Sequence, residues 1–433
     1  MKNRDYSIPY ARSEINFSLP ADFSVDIAAS KACPAVEDTV GAVYRSLANP
    51  ISSPPLRQIA KPDDKACIVF TDITRSTPDE ILVPALLGEL TAAGVKDENI
   101  TLLCGIGMHR SSTPKEKETM LGAEIANRYR VIDNQPQNLD TLVDLGVTPG
   151  GTPVVAHRAA VEADLLIATG IIEPHQYAGY SGGRKTVAIG AAGEPTIHHT
   201  HGPDFIDHPG TRLGKIDGNP FHEAITEAAQ RAGLKFILNV VLDEGKNVLR
   251  VGAGDPNQTF LALVDFAKSV YEVPIHKQYD IAIGGVGFPK DSNLYQASRA
   301  PSYLFFAPTP VVKPGGFYII PARCQEGAGS GVGEQRFLAA MRDAPDIQAI
   351  LDHARHNGYP PGQQRAFVLA KVLEHNPIII VGSEDPDLVR DCKMIPAATM
   401  EEAIQIVTDQ MGSSLDALIV PHALQTLPVV HKP

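Results

Sequence analysis

ACIVFTDITRSTPDEILVPALLGELTAAG, residues 66–94, passes from a short apolar run to a polar loop and then to a longer apolar-rich stretch. Ala66–Phe70 is strand-sized and bounded by turn residues, so it reads as a buried strand. Asp79–Gly94 opens on two acids and stops at a glycine, which are helix start and stop signals. We expect an amphipathic helix there, with Pro84 tolerated in its first turns. The same unit recurs. Asn99–Gly105 is a second strand, followed by the loop GIGMHRSSTP and a helix opening near Pro114. Shorter strands are expected at Tyr129–Ile132 and Pro153–Ala156, and Ala163–Gly170 (ADLLIATG) supplies a further one.

Strands alternating with helices predict an α/β fold whose sheets are mainly parallel and flanked by helices. A length of 433 residues exceeds one ordinary core and predicts two such domains. We place the boundary near Val273–Lys277, giving an N-terminal cofactor-binding domain over 1–275 and a C-terminal domain over 276–433. An active-site cleft is expected between them. Residues 1–60 read as irregular, with one or two edge strands. The second half repeats the alternation at Asp280–Gly285, Gly315–Ala322 and Pro377–Gly382. MEEAIQIVTDQM is a late helix, and DALIVPH a last strand that could return to the first sheet.

Composition removes several classes of partner. Lys+Arg 38 against Asp+Glu 50 gives a net charge of −12, with no basic block. Nucleic-acid binding normally needs a basic face, so none is expected. The first nineteen residues hold no stretch of signal-peptide length, and no apolar run reaches a membrane span; a cytoplasmic protein is expected. The five cysteines show no CxxC spacing and read as free thiols.

In parallel sheets ligands bind outside the carboxyl ends of the strands. Three loops fall at such ends: Thr71–Pro78 with Asp72 and Arg75, Gly105–Pro114 with His109, and Gly170–Lys185 with His175 and Lys185. The last of these runs EPHQYAGYSGGRKTVAIG (Glu173–Gly190) and is followed by TIHHTHG (Thr196–Gly202). Its GYSGGRKT core departs from the GxxxxGK[ST] phosphate-loop spacing. Gly182 and Gly183 still permit close backbone approach, and Arg184 with Lys185 could together hold a phosphate. His198, His199 and His201 are candidate metal ligands. Arg75 suits a bidentate carboxylate clamp. Tyr295, Gln296 and Arg299 fall within five residues and near one face of a helix. Each of these, taken alone, is also an ordinary surface or loop feature.

Taken in order, DITRSTP, GMHR, EPHQYAGYSGGRK, the histidine after TIHHT, and GFPKDSNLYQASRA resemble the motifs of the nickel-dependent lactate racemases and their 2-hydroxyacid racemase and epimerase homologues. The resemblance is strong over roughly residues 65–300. It implies a nickel pincer nucleotide, a pyridinium mononucleotide whose sulfur and carbon atoms hold nickel, joined by a thioamide to Lys185. It further implies His201 as the nickel ligand, His109 and His175 as general bases, and Asp72, Gly182 and Gly183 at the cofactor. Substrate contacts would be Arg75, Tyr295, Gln296 and Arg299. That family carries a lysine at the last of these positions, so a 2-hydroxyacid other than lactate is a candidate substrate. Enzymes that synthesise the cofactor would be transient partners. Two readings of another class stand beside it: a zinc hydrolase, which needs three convergent protein ligands and a bound water, and a non-catalytic nucleotide-binding protein.

Overall fold

In a computed structural model of the chain, residues 4–360 and 362–431 are described. Contacts divide it into two compact units. One comprises Ala32–His201 and Lys215–Val270, the other Met1–Lys31, Gly202–Gly214 and Tyr271–Pro433.

The first unit is built on a six-stranded sheet ordered Val248–Gly254, Leu234–Leu242, Leu165–Ile171, Ala66–Thr71, Ile100–Gly105, Arg130–Asp133. All neighbours are parallel except the first pair. Numbered by their order along the chain, the strands run 6-5-4-1-2-3 across the sheet. That is the doubly wound order in which strand sequence reverses between the first and fourth strands. The reversal falls between Ala66–Thr71 and Leu165–Ile171, so the Thr71–Pro78 loop and the Ile172–Lys185 loop emerge side by side. The antiparallel edge strand Val248–Gly254 was not foreseen. The strand expected at Pro153–Ala156 belongs instead to a separate hairpin, Leu142–Val147 with Pro153–His157.

Helix Asp79–Ala92 forms with Pro84 inside it. It is not amphipathic. Leu82, Val83, Leu86, Leu87 and Leu90 are all buried, because helices Thr39–Ala48 and Leu56–Ile59 cover the side turned away from the sheet. Even Glu89 is buried, and Arg57 answers its carboxylate through Nε at 2.9 Å and through Nη2. The stretch expected to be irregular therefore supplies a cover to the first core.

The second unit carries an all-parallel six-stranded sheet ordered Ile395–Ala397, Ile378–Val381, Val312–Pro321, Tyr279–Gly284, Asp416–Val420, Ser24–Ile27. The strand expected within DALIVPH, Asp416–Val420, stays in this sheet beside Tyr279–Gly284, while a later strand, Leu427–Val430, pairs with Glu272–Ile275. The other edge of Asp416–Val420 is taken by Ser24–Ile27, from the opposite end of the chain. The hairpin Arg4–Tyr10 with Ser13–Leu19 adds Ile8 and Phe17 to the same core as Ile281, Ile283 and Ile319. By contacts, the first 31 residues and Gly202–Gly214 group with the C-terminal portion.

Candidate active site

The site in the first unit starts from two neighbouring strand ends. Asp72 directly follows the Ala66–Thr71 strand and is buried. Its Oδ1 accepts from the Thr74 amide at 3.0 Å and the Thr74 hydroxyl at 2.5 Å, while its Oδ2 meets His109 Nδ1 at 2.5 Å. Burial pushes the Asp72 carboxyl upward, but the hydrogen bond and charge of His109, the Thr74 hydroxyl and the Arg75 charge outweigh it. The carboxyl lies below its ordinary range. An ionised Asp72 fixes His109 as the Nδ1–H tautomer and leaves Nε2 as the acceptor nitrogen. The His109 side chain is 53% exposed, so that nitrogen is accessible.

Lys185 sits in the helical turn Gly183–Lys185, which runs on into a buried π-helical segment, Thr186–Gly190. Such segments are rare and recur at functional sites. The segment lies backbone to backbone on the end of the Ile100–Gly105 strand: a Cβ at Gly190 would fall 2.8 Å from the Gly105 carbonyl oxygen. The Gly107 amide donates to the Gly190 carbonyl at 2.9 Å. The loop bearing His109 is thereby fixed to the turn bearing Lys185. Lys185 is half-buried. Desolvation of its amine and the adjacent Arg75 charge, opposed by Glu173 and Asp72, bring its pKa down to about 7. A large fraction is therefore neutral and nucleophilic at physiological pH.

His201 follows helix Glu194–Thr200 and packs edge-on against Phe221, ring centroids 5.0 Å apart, and against Tyr177 at 5.7 Å. Desolvation and the Lys185 charge, against the hydrogen bond to Ile197, lower it to about 4. Its Nδ1–H donates to the Ile197 carbonyl at 3.0 Å, which makes Nε2 the lone-pair nitrogen. His198 is exposed and His199 half-buried in the last turn of that helix. The Lys185 charge acts on His201. Among the described residues no three His, Cys, Asp or Glu side chains gather as metal ligands. A zinc hydrolase built on three protein ligands therefore has no site among them.

One sequence expectation changes. Arg184 does not act beside Lys185. It turns into the interior, donating through Nη1 to Thr226 and Asn257 at 2.9 Å each, with its guanidinium 3.7 Å over the Phe260 ring. Burial draws its pKa down to about 9. Adjacent helical positions differ by about 100° in direction, and with Arg184 engaged in the interior the pair forms no joint phosphate clamp. Gly182 is required by packing, since a Cβ there would meet Ile172 at 2.6 Å; one at Gly183 would meet Ile237 at 2.9 Å.

His175 lies on a two-residue hairpin strand paired with Gly179–Tyr180, and its Nδ1 accepts from the Tyr177 and Ala178 amides at 3.3 and 3.2 Å. Sequence reasoning missed Asp79, which is buried at the start of its helix. Its Oδ1 accepts from Thr169 at 2.6 Å and its Oδ2 from the Thr71 hydroxyl at 3.0 Å. An acid at a helix start looks like a capping residue, and nothing in the local sequence announces its burial.

The second unit holds Tyr295 and Gln296 on the short helix Leu294–Ala297 and Arg299 at the start of Arg299–Phe305. Arg299 donates through Nη1 to Gln296 Oε1 at 3.2 Å and through Nη2 to the Tyr303 hydroxyl at 2.5 Å. The Tyr295 ring packs edge-on against Phe337 at 5.5 Å, with Arg365 over its face. Tyr303, one turn beyond Arg299, was not singled out from sequence.

The switch point of a doubly wound sheet thus carries an amine of lowered pKa and a carboxylate-bound imidazole, the setting of an α/β ligand site. The sequence profile of the lactate racemase N-terminal domain matches residues 10–214, and that of the lactate racemase C-terminal domain matches 275–427. A lactate racemase of Thermoanaerobacterium thermosaccharolyticum is 32% identical over 428 residues, covering 97% of this chain and 98% of that protein. Another from Lactiplantibacillus plantarum is 35% identical over 387 residues, covering 88% and 89%. The solved lactate racemase apoprotein from T. thermosaccharolyticum superposes with a TM-score of 0.89 at 30% identity, over 98% of this chain and all of that one. A Thermotoga maritima structure, at 18% identity and TM-score 0.63 over 87% of this chain and 96% of that one, shares the fold. The chain belongs to the lactate racemase family, and with it to the isomerases.

Proposed function

We propose that this protein racemises or epimerises a 2-hydroxyacid in the cytoplasm, using a nickel pincer nucleotide attached through Lys185. Lactate is the first candidate substrate, from the names of its relatives. The observation that carries the reading is the Gly107 amide bonded to the Gly190 carbonyl at 2.9 Å, which ties the His109 loop to the turn bearing Lys185, an amine whose pKa desolvation lowers. A thioamide forms only through a neutral amine, and a single imidazole nitrogen suits a metal whose remaining ligands come from the organic group. When bound, that group supplies an electrophilic ring carbon able to hold a hydride reversibly beside nickel.

The chain's own residues do the rest. Arg75 would hold the substrate carboxylate so that only the carbonyl end turns; Arg299, Tyr295 and Gln296 are the further substrate contacts that the family motifs imply. His109 Nε2 takes the hydroxyl proton, and Asp72 stabilises the imidazolium that results. With the bound cofactor as hydride acceptor the substrate would become a 2-keto acid, and His175 would serve the opposite face, because the two enantiomers direct their hydroxyls differently. Cofactor-synthesis enzymes are the partners this chemistry requires.

The test is a panel of enantiopure 2-hydroxyacids assayed with holoenzyme in deuterated water. Interconversion with protium retained at the α-carbon supports the proposal, and solvent deuterium at that carbon opposes it. Intact mass of wild type and Lys185→Ala, expressed with the cofactor-synthesis enzymes, reports the attachment independently of activity.

A further inference from the structure

The two imidazoles assigned to proton handling are held in opposite tautomers. His109 presents Nδ1 to the Asp72 carboxylate at 2.5 Å. A carboxylate of lowered pKa only accepts, so this Nδ1 carries hydrogen and Nε2 does not. His175 presents Nδ1 to two donors, the amides of Tyr177 at 3.3 Å and Ala178 at 3.2 Å. Amides only donate, so this Nδ1 is bare and the hydrogen of the neutral ring is on Nε2.

The turn supplying those amides is itself held from outside. Asn219 Nδ2 donates to the Tyr177 carbonyl at 2.8 Å and to the Lys215 carbonyl at 3.0 Å. The His175 ring lies 5.8 Å from Tyr177 and 6.3 Å from Phe221, between centroids. Asn219 also caps helix Pro220–Arg231, its Oδ1 accepting from the Phe221 and His222 amides.

We infer that the Tyr177–Ala178 turn, held by Asn219, locks His175 as a hydrogen-bond donor at Nε2, while Asp72 locks His109 as an acceptor at Nε2. The inference rests on the proton roles proposed above and deepens them. The first proton leaves a substrate hydroxyl for His109 Nε2, and the positive charge so formed is shared with Asp72. His175 meanwhile donates a hydrogen bond to the substrate oxygen. To return a proton from Nε2 to the substrate oxygen it must take up another at Nδ1 from solvent, which requires both amide bonds to open. The two bases are therefore unequal, and the 175–178 turn gates one of them.

The experiment uses the full-length apoprotein labelled with 15N-histidine. Long-range proton–nitrogen correlation at pH 8, above the ordinary imidazole range of about 6.5, reads which ring nitrogen is protonated. His109→Gln and His175→Gln assign the signals. His175 is expected as the Nε2–H form in roughly 30-fold excess, and His109 as the Nδ1–H form. Asn219→Asp keeps the helix cap but loses the donor to Tyr177, and is expected to give a mixture at His175. An Nδ1–H His175 in the wild type, or an unchanged His175 in a folded Asn219→Asp protein, would overturn the inference. Failure of the holoenzyme to interconvert any enantiomer, with the predicted tautomers seen, would sink the functional proposal and leave the tautomer assignment standing.

Discussion

The hydroxyl of Thr169 donates to Asp79 Oδ1 at 2.6 Å, so a buried carboxyl links the start of helix Asp79–Ala92 to the neighbouring strand Leu165–Ile171. The same carboxyl receives Thr71, the residue before Asp72. Thr186, directly after Lys185, donates to the carbonyl of Thr169 at 2.9 Å. Asp79 is therefore the joint that sets the Asp72 loop against the Lys185 turn.

Burial, only partly offset by the Thr169 and Thr71 hydrogen bonds, raises Asp79 to about 7. Its folded pKa then exceeds the unfolded value of about 3.9. The folded state binds more protons between those values, so the stability contributed by the protonated carboxyl is present at acid pH and lost as pH rises toward 7. Relative to Asp79→Asn, the wild-type advantage in melting temperature should be larger at pH 5 than at pH 8. Thermal unfolding of both proteins at the two pH values checks the sign.

Asp72→Asn should reduce interconversion by roughly 10²–10⁴-fold, because an amide no longer specifies the Nδ1–H tautomer of His109. His109→Ala should lose at least as much, with the cofactor mass retained. Steady-state rates paired with intact mass distinguish a lost base from a lost cofactor.

The Lys185 amine should react with an acylating probe along a pH curve whose midpoint is near 7, since protonation below that pH removes the nucleophile. Peptide mapping after brief labelling of apoprotein locates the adduct. A midpoint in the ordinary lysine range, about 10.4, would show that the amine is not desolvated.

Tyr303→Phe should raise KM for the 2-hydroxyacid about tenfold while kcat changes less, because the phenol braces Nη2 of Arg299 and a hydrogen bond to a charged group contributes about 1.4 kcal/mol or more. Arg299→Lys should behave alike, losing the fork that Gln296 and Tyr303 hold. A fall in kcat at unchanged KM would assign Tyr303 another role.

What the sequence disclosed follows from what is local. Apolar runs and their turn residues marked the central strands, and the loops after Thr71, Gly105 and Ile171 were legible as a ligand-facing rim. Family motifs then named His109, Lys185 and His201. What stayed hidden is set by distant neighbours. Helix Asp79–Ala92 reads as one-faced until residues 39–59 cover it. Arg184 and Lys185 are adjacent cations in sequence, yet opposite in direction. Asp79 and Tyr303 acquire meaning only from side chains that meet them in space.

The edge position of Ser24–Ile27 has a consequence for biosynthesis. Its hydrogen-bonding partner, Asp416–Val420, is separated from it by nearly the entire polypeptide. A ribosome releases the early segment long before the late one exists, so this edge is among the last parts of the sheet to pair. Fragments expressed from either half will each carry an uncovered β edge.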